Sequence, residues 1–204
     1  MRKRICSALM IGCLTLTACG SSKQQKVESA RDRMAEAQAI TMTAQVEADF
    51  GETIEQYTLE YTYDGACWTA LVTQPQFISG ITARISKDAS ELEYDGAVLT
   101  TGDLTGNGIS PISAVPLMHE TLREGMTDCV WEEGDLFAGT FVYDDAISVS
   151  VWFDAAGNPT AAELAEKGIV KAKCILTEVE IKDINHGTTE KEDLGGDQPK
   201  ESGT

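Results

Sequence analysis

Histidine is almost missing from this 204-residue chain, which has only His119 and His186. A zinc hydrolase of the H-E-x-x-H type needs two imidazoles one helical turn apart, and "HETLR" at 119–123 puts Arg123 where the second should be. A guanidinium has donors only and cannot ligate a metal. The glycines of "TGDLTGNG" (101–108) come without the Gly-Lys-Ser/Thr ending of a phosphate loop or the acid spacing of a calcium loop, so the segment reads as a flexible turn. No G-x-S-x-G elbow is present, and only His119 would be available to a Ser-His-Asp triad in the folded part. The acid pairs Glu132-Glu133 and Asp144-Asp145 flank turns. Strand neighbours point to opposite faces, so neither pair converges as two catalytic carboxylates must. The sequence therefore assigns no metal, cofactor or catalytic residue, and His119 is read as solvated helix polarity. An enzyme is the least supported of the functional classes.

Positive charge is also scarce, with 16 Lys+Arg against 33 Asp+Glu and no basic cluster. Such a surface repels phosphate backbones and anionic headgroups, which excludes nucleic acid as a partner. Long apolar runs are absent as well. The longest, Ile5 to Ala18, has 14 residues, short of the roughly 18 to 20 that cross a bilayer.

What that run does have is the layout of an export signal: Arg2, Lys3 and Arg4 precede it and small side chains close it. Its ending, Leu16-Thr17-Ala18-Cys19, resembles the lipobox of bacterial lipoproteins, in which the cysteine sulfur is acylated and the chain is cut just before it. Residues 1–19 are thus expected to be a lipoprotein signal ending at the attachment site, Cys19. Each buried methylene contributes about 0.8 kcal/mol, so two or three acyl chains hold firmly where one would not. Removing the signal takes three bases and no acids, leaving 13 against 33 and a net charge of −20. The expected location is the extracytoplasmic side of a membrane, with an outer membrane open if the organism has one. Cys67, Cys129 and Cys174 remain, an odd number without zinc spacing, and are read first as three small buried hydrophobes. At most one intramolecular disulfide is open to them, and spacing does not choose the pair.

Residues 20–26, "GSSKQQK", read as a polar tether, and 183–204 as a disordered acidic tail almost devoid of apolar side chains. Between them, 27–182 is large enough for one domain with a real core. Val27 to Ala39 favours helix by composition. From Thr41 to Phe50 the apolar residues recur every second position, as in a half-buried strand. "EQYTLEYTYDGACWTALV" reads as a hairpin about Asp64-Gly65, pairing Tyr61 with Trp68, Leu59 with Ala70 and Tyr57 with Val72 on one face. A second "YDGA", at 94–97, pairs Leu92 with Leu99 and Tyr94 with Ala97. Further strand-like runs are 77–87, 129–133, 136–143 and 147–153, spaced as an antiparallel meander. The run from Pro159 to Ile181 has helical composition at its start, yet a three-residue loop at 166–168 pairs Leu164 with Val170 and Glu163 with Lys171, and the hairpin is preferred. One interior helix is expected over 110–125, capped by Ser110, ended by Gly125 and broken by Pro116, with Ile112, Val115, Met118 and Leu122 as its apolar stripe.

In pattern and order, "VEADFGETIEQYTLEYTYDG", "ISKDASELEYDGAVLTTGDL", "ISPISAVPLMHETLREG" and "VWFDAAGNPTAAEL" resemble the LolA/LolB/RseB-like family of envelope proteins. That resemblance implies an α+β fold: a curved antiparallel sheet, an open half-barrel, with an N-terminal helix and a short Pro-broken helical insertion covering its concave face. It also implies a hydrophobic cavity for a lipophilic ligand or acyl chain, lined here by Leu59, Tyr61, Trp68, Val72, Val115, Met118 and Leu122. The soluble carrier of the family is not lipidated, which favours a tethered, monomeric, non-enzymatic binding module over a shuttle. The alternative is a regulatory or protein-interaction module in which the same face is only core and an envelope protein is the partner.

Overall fold

The computed structural model describes residues 18–86, 89–104 and 108–182, with side chains from Ser22 onward. The expected signal through residue 17, the middle of the glycine-rich turn and the acidic tail at 183–204 lie outside the described residues. The architecture is the expected one: an open antiparallel sheet of 11 strands and two helices, an α+β half-barrel. The chain begins with helix α1 (Ala18–Ala35) and strand β1 (Ala39–Asp49), followed by β2 (Ile54–Tyr63), β3 (Trp68–Gln74), a single 3-10 turn (Gln76–Ile78) and β4 (Thr82–Ile85). Next come β5 (Ser90–Tyr94), β6 (Ala97–Thr100), α2 (Ala114–Glu124), β7 (Met126–Glu133), β8 (Leu136–Val142), β9 (Ile147–Phe153), β10 (Pro159–Glu166) and β11 (Ile169–Lys182).

The strand order is β6-β5-β4-β3-β2-β1-β11-β10-β9-β8-β7. It is two meanders joined where the last strand closes on the first. All that leaves the meander is α2, inserted between the two edge strands. Burial along β1 alternates residue by residue, with Ile40, Met42, Ala44, Val46 and Ala48 on the covered side. The same side continues through Leu59, Tyr61 and Tyr63 on β2 and through Val149, Val151 and Phe153 on β9. Both helices lie on this face, so a single core cluster joins Val27 and Met34 of α1 to Val115, Met118 and Leu122 of α2 and to the sheet.

Several expectations are corrected. Helix α1 starts at Ala18, so the stretch 20–26 is helical and not a free tether, and the helix stops at Ala35 instead of running to Ala39. Lysine and glutamine in that stretch are good helix formers, and a Lys23–Glu132 ion pair of 2.9 Å ties this first part to β7. Its middle is held by apolar contact with the sheet. Gly139 in β8 lets α1 come close, since a Cβ there would sit 2.8 Å from Val27 Cγ1.

The first hairpin pairs Tyr63 with Trp68, Tyr61 with Ala70 and Leu59 with Val72. The loop is thus two residues longer than expected, because Asp64 Oδ1 accepts hydrogen bonds from the amides of Ala66 and Cys67 at 3.0 and 2.8 Å and builds a wider turn. A slip of two preserves parity, so every side chain keeps its assigned face. The 94–97 hairpin forms with the expected pairs. The hairpin reading of 159–181 holds against helix propensity, but the loop is the two-residue Lys167-Gly168 pair, and a bulge at Leu164/Ala165 sets Leu164 opposite Ala172 and Glu163 opposite Lys173. Pro116 does not break α2. It lies in the first turn, where the helix has no use for its missing N–H. Ser110 bonds to Ser113 instead of capping the helix, while Gly125 ends it as expected. A Cβ at Gly125 would meet the carbonyl oxygens of Thr121 and Val142 at 2.6 and 2.8 Å, so glycine is required there by space.

Candidate functional site

The seven residues expected to line a cavity are brought together on the concave face, as the pattern indicates. They are buried there. Leu59, Val115 and Leu122 are 0 % exposed, Tyr61 and Met118 1 %, Val72 3 % and Trp68 5 %, all within the one core cluster. In this conformation the seven side chains pack within the core that α1 and α2 complete on the sheet. The cause is helix position. Helix α2 lies against β2 and β3, where His119 meets Trp68 and the Tyr61 hydroxyl donates to the Pro111 carbonyl just ahead of the helix.

At the centre is a ring cluster that the sequence did not disclose. Trp68 stacks on Tyr63 at 5.1 Å and meets Tyr61 edge-on at 6.3 Å. His119 enters from α2 at 4.8 Å from Tyr63 and 5.3 Å from Trp68. It is not solvated polarity, being 2 % exposed. Its Nδ1 accepts from Trp68 Nε1 at 3.3 Å, which leaves Nε2–H to donate to the Met34 carbonyl at 3.0 Å. This neutral tautomer is the one the two contacts demand. Burial, with a smaller contribution from the Arg123 charge, pushes the imidazole down to about 4 even though its bond to Met34 opposes the shift. One residue thus links α2 to α1 and to β3.

A second clasp lies at the other end of α2. Arg31 of α1 donates from Nε to the Leu122 carbonyl at 2.7 Å and from a guanidinium nitrogen to the Gly125 carbonyl at 2.5 Å. Its guanidinium also lies over the Phe141 ring, 5.6 Å from the centroid. Two carbonyls at the end of α2, those of Leu122 and the capping Gly125, are thereby satisfied.

Beside the ring cluster, a cleft of about 130 Å³ opens between α2 and the strands, lined by Tyr63, Trp68, Ile85, Pro116, His119 and Glu120 among others. Sites for small molecules run to roughly 300–1,000 Å³, so this cleft is too small for an acyl chain. Among the described residues no group of three or more His, Cys, Asp or Glu is placed to hold a metal. Of the three thiols among the described side chains, Cys174 is buried, Cys67 intermediate and Cys129 exposed, and all three are free. That corrects the reading of three buried hydrophobes, since Cys129 is carried on an edge strand and Cys67 in a turn. On the convex face, Trp131 and Trp152 form an edge-to-face pair at 5.6 Å, and Trp152 Nε1 donates to Glu133 at 2.8 Å. Alternation along β7 and β9 was the available signal for that pair.

The fold and its clasps define an antiparallel half-barrel whose concave face is closed by its own two helices. No family model matches the chain, and no curated protein does. Solved structures similar to it include a DUF1329 family protein from Desulfovibrio piger, 8 % identical, covering 79 % of this chain and 92 % of that one with a TM-score of 0.46. A LolA superfamily protein from Nitrosomonas europaea is 9 % identical, covering 79 % and 94 % with a TM-score of 0.45. The lipoprotein LppX from Mycobacterium tuberculosis is 9 % identical, covering 78 % and 95 % with a TM-score of 0.44.

Proposed function

We propose that the chain is a lipid-anchored, extracytoplasmic, non-enzymatic module that acts by binding a protein partner on its outside, with the two helices serving as core. The observation that supports this over a lipid carrier is the closed concave face: all seven candidate lining residues are at most 5 % exposed. The anchor rests on the lipobox at Leu16–Cys19 and the charge and length of the run before it. The mature chain carrying Cys19→Ser, incubated with a fluorescent fatty acid, is expected to take up none of it. Saturable uptake that Trp68→Glu abolishes would overturn the reading.

A second reading is an acyl ligand admitted by swinging α2 away from the sheet. It is favoured by the cleft beside Trp68, which marks where α2 and the β2–β3 hairpin already part. The same assay separates the two, since this mode gives uptake that rises when His119→Ala loosens α2.

A further inference from the structure

Of the nine large apolar side chains left in solvent among the described residues, six lie together, while Val98 and Leu99 on the edge strand β6 and Ile175 on β11 lie apart. Phe50 (55 %) and Ile54 (65 %) stand at the β1–β2 turn, Phe77 (77 %) in the β3–β4 connection, Tyr94 (50 %) at the β5–β6 turn and Ile169 (57 %) at the β10–β11 turn. The register places all four connections at one end of the sheet: Asp49 pairs with Ile54, Thr82 with Glu93, Tyr94 with Ala97 and Ala48 with Ala172. Met126, 75 % exposed, starts β7 at the same end, where it pairs with Val142. At the opposite end, the turns after β2, β7 and β9 expose no large apolar residue among the described residues.

In the strand order the four connections come as successive neighbours two strands apart, about 10 Å from one to the next. They make a continuous rim. Single exposed hydrophobics are ordinary, but a row of them along one edge marks a contact surface.

Charge selects among the occupants. Asp49, Glu52 and Glu55 flank Phe50 and Ile54, Asp95 follows Tyr94, and Glu166 precedes Lys167, the only base in these four connections. An acidic rim is repelled by anionic headgroups and by a second copy of a chain with net charge −20 after the signal is removed. Position argues the same way. Lys23 near the start of α1 pairs with Glu132 beside the β7–β8 turn, at the end opposite to the rim. An acyl group on Cys19 would hold that end to the membrane, with the rim about 25 Å away, the length of an eight-residue strand.

We infer that this rim is the docking surface for a basic protein partner that presents apolar side chains, approaching from the aqueous side. The inference rests on the reading of the chain as a tethered partner-binding module and adds where the partner sits and what it carries. Phe77, Phe50 and Ile54 supply the apolar contact, and the neighbouring carboxylates steer the approach.

The test uses the mature chain with Cys19→Ser and, as probe, an amphipathic Lys/Leu peptide, with phosphatidylcholine and phosphatidylglycerol vesicles as the other arms. Peptide binding is expected to weaken about tenfold in Ile54→Ser/Phe77→Ser, to fall with added salt, and to fall again in Glu52→Lys/Glu55→Lys. Ile175→Ser, exposed in the middle of the sheet, should leave it unchanged, as it should the urea midpoint. Vesicle flotation through the rim, self-association relieved by the rim variants, or peptide binding indifferent to them would each overturn the inference. If the rim variants change nothing while the fatty acid is still excluded, the rim assignment falls and the module reading stands. Fatty-acid uptake would remove the module reading itself.

Discussion

Substituting His119 by glutamine removes the imidazole from the ring cluster while keeping a donor for the Met34 carbonyl and an acceptor for Trp68 Nε1. In the folded protein the imidazole stays neutral down to about pH 4, whereas in the unfolded chain it titrates near 6.5. Between these values the unfolded state binds the extra proton, so the stability from a neutral His119 is complete above pH 6.5 and is lost as the pH falls toward 4. At pH 4.5, two units below the unfolded value, the loss comes to about 2.5 kcal/mol. The variant should start about 1 kcal/mol below wild type at pH 7 because its hydrogen bonds are less well aligned, and then fail to decline further from this source. Urea unfolding followed by tryptophan fluorescence, at pH 7 and pH 4.5 in both proteins, gives the difference of differences. The carboxylates common to both cancel. Wild type should lose about 2.5 kcal/mol more than His119→Gln across that interval. Equal losses would mean that His119 is not buried and neutral between the helices, and the clasp would be refuted.

Two further predictions concern how α1 is seated and which thiols are reachable. Gly139→Ala places a methyl 2.8 Å from Val27 Cγ1, so it should cost about 1–3 kcal/mol in urea unfolding, and Val27→Ala in the same chain should recover part of it. In the mature chain with Cys19→Ser, a thiol reagent should label Cys129 fastest and Cys174 only after denaturation, because Cys174 is buried and its thiol is pushed up to about 12. Mass spectrometry of the labelled peptides reads both rates, and early labelling of Cys174 would show that β11 is not covered.

Much of the architecture could be read from alternation alone. Period-two burial along β1 and β9 needs only a one-sided sheet, and parity protected the face assignments where the turn at Asp64–Cys67 was misjudged by two residues; at Lys167-Gly168 the loop is one residue shorter than expected, and the bulge at Leu164/Ala165 restores the faces beyond it. Turn lengths themselves were hidden, because they depend on side-chain bonds such as those of Asp64 Oδ1 and on a bulge that no local pattern announces. His119 was misread for a different reason. On a helical wheel it is a polar residue beside an apolar stripe, and only the meeting of α2 with Met34 and Trp68, 85 and 51 residues away, makes its burial tolerable. Whether the hollow is filled was equally out of reach. The apolar stripe of α2 is the same for a helix that lines a cavity and for one that closes it. The rim needed the strand order, since Phe50, Phe77, Tyr94 and Ile169 are far apart in sequence and become neighbours only through pairing.

The packing of Trp68 bears most directly on the closed concave face. With Trp131→Phe and Trp152→Phe, Trp68 is the only tryptophan, 5 % exposed and bonded through Nε1 to His119. Its emission should be blue-shifted, scarcely quenched by acrylamide and unchanged by a fatty acid. Red-shifted emission with ready quenching, or a shift on adding the fatty acid, would contradict the account, because it would mean that the helices leave the hollow open.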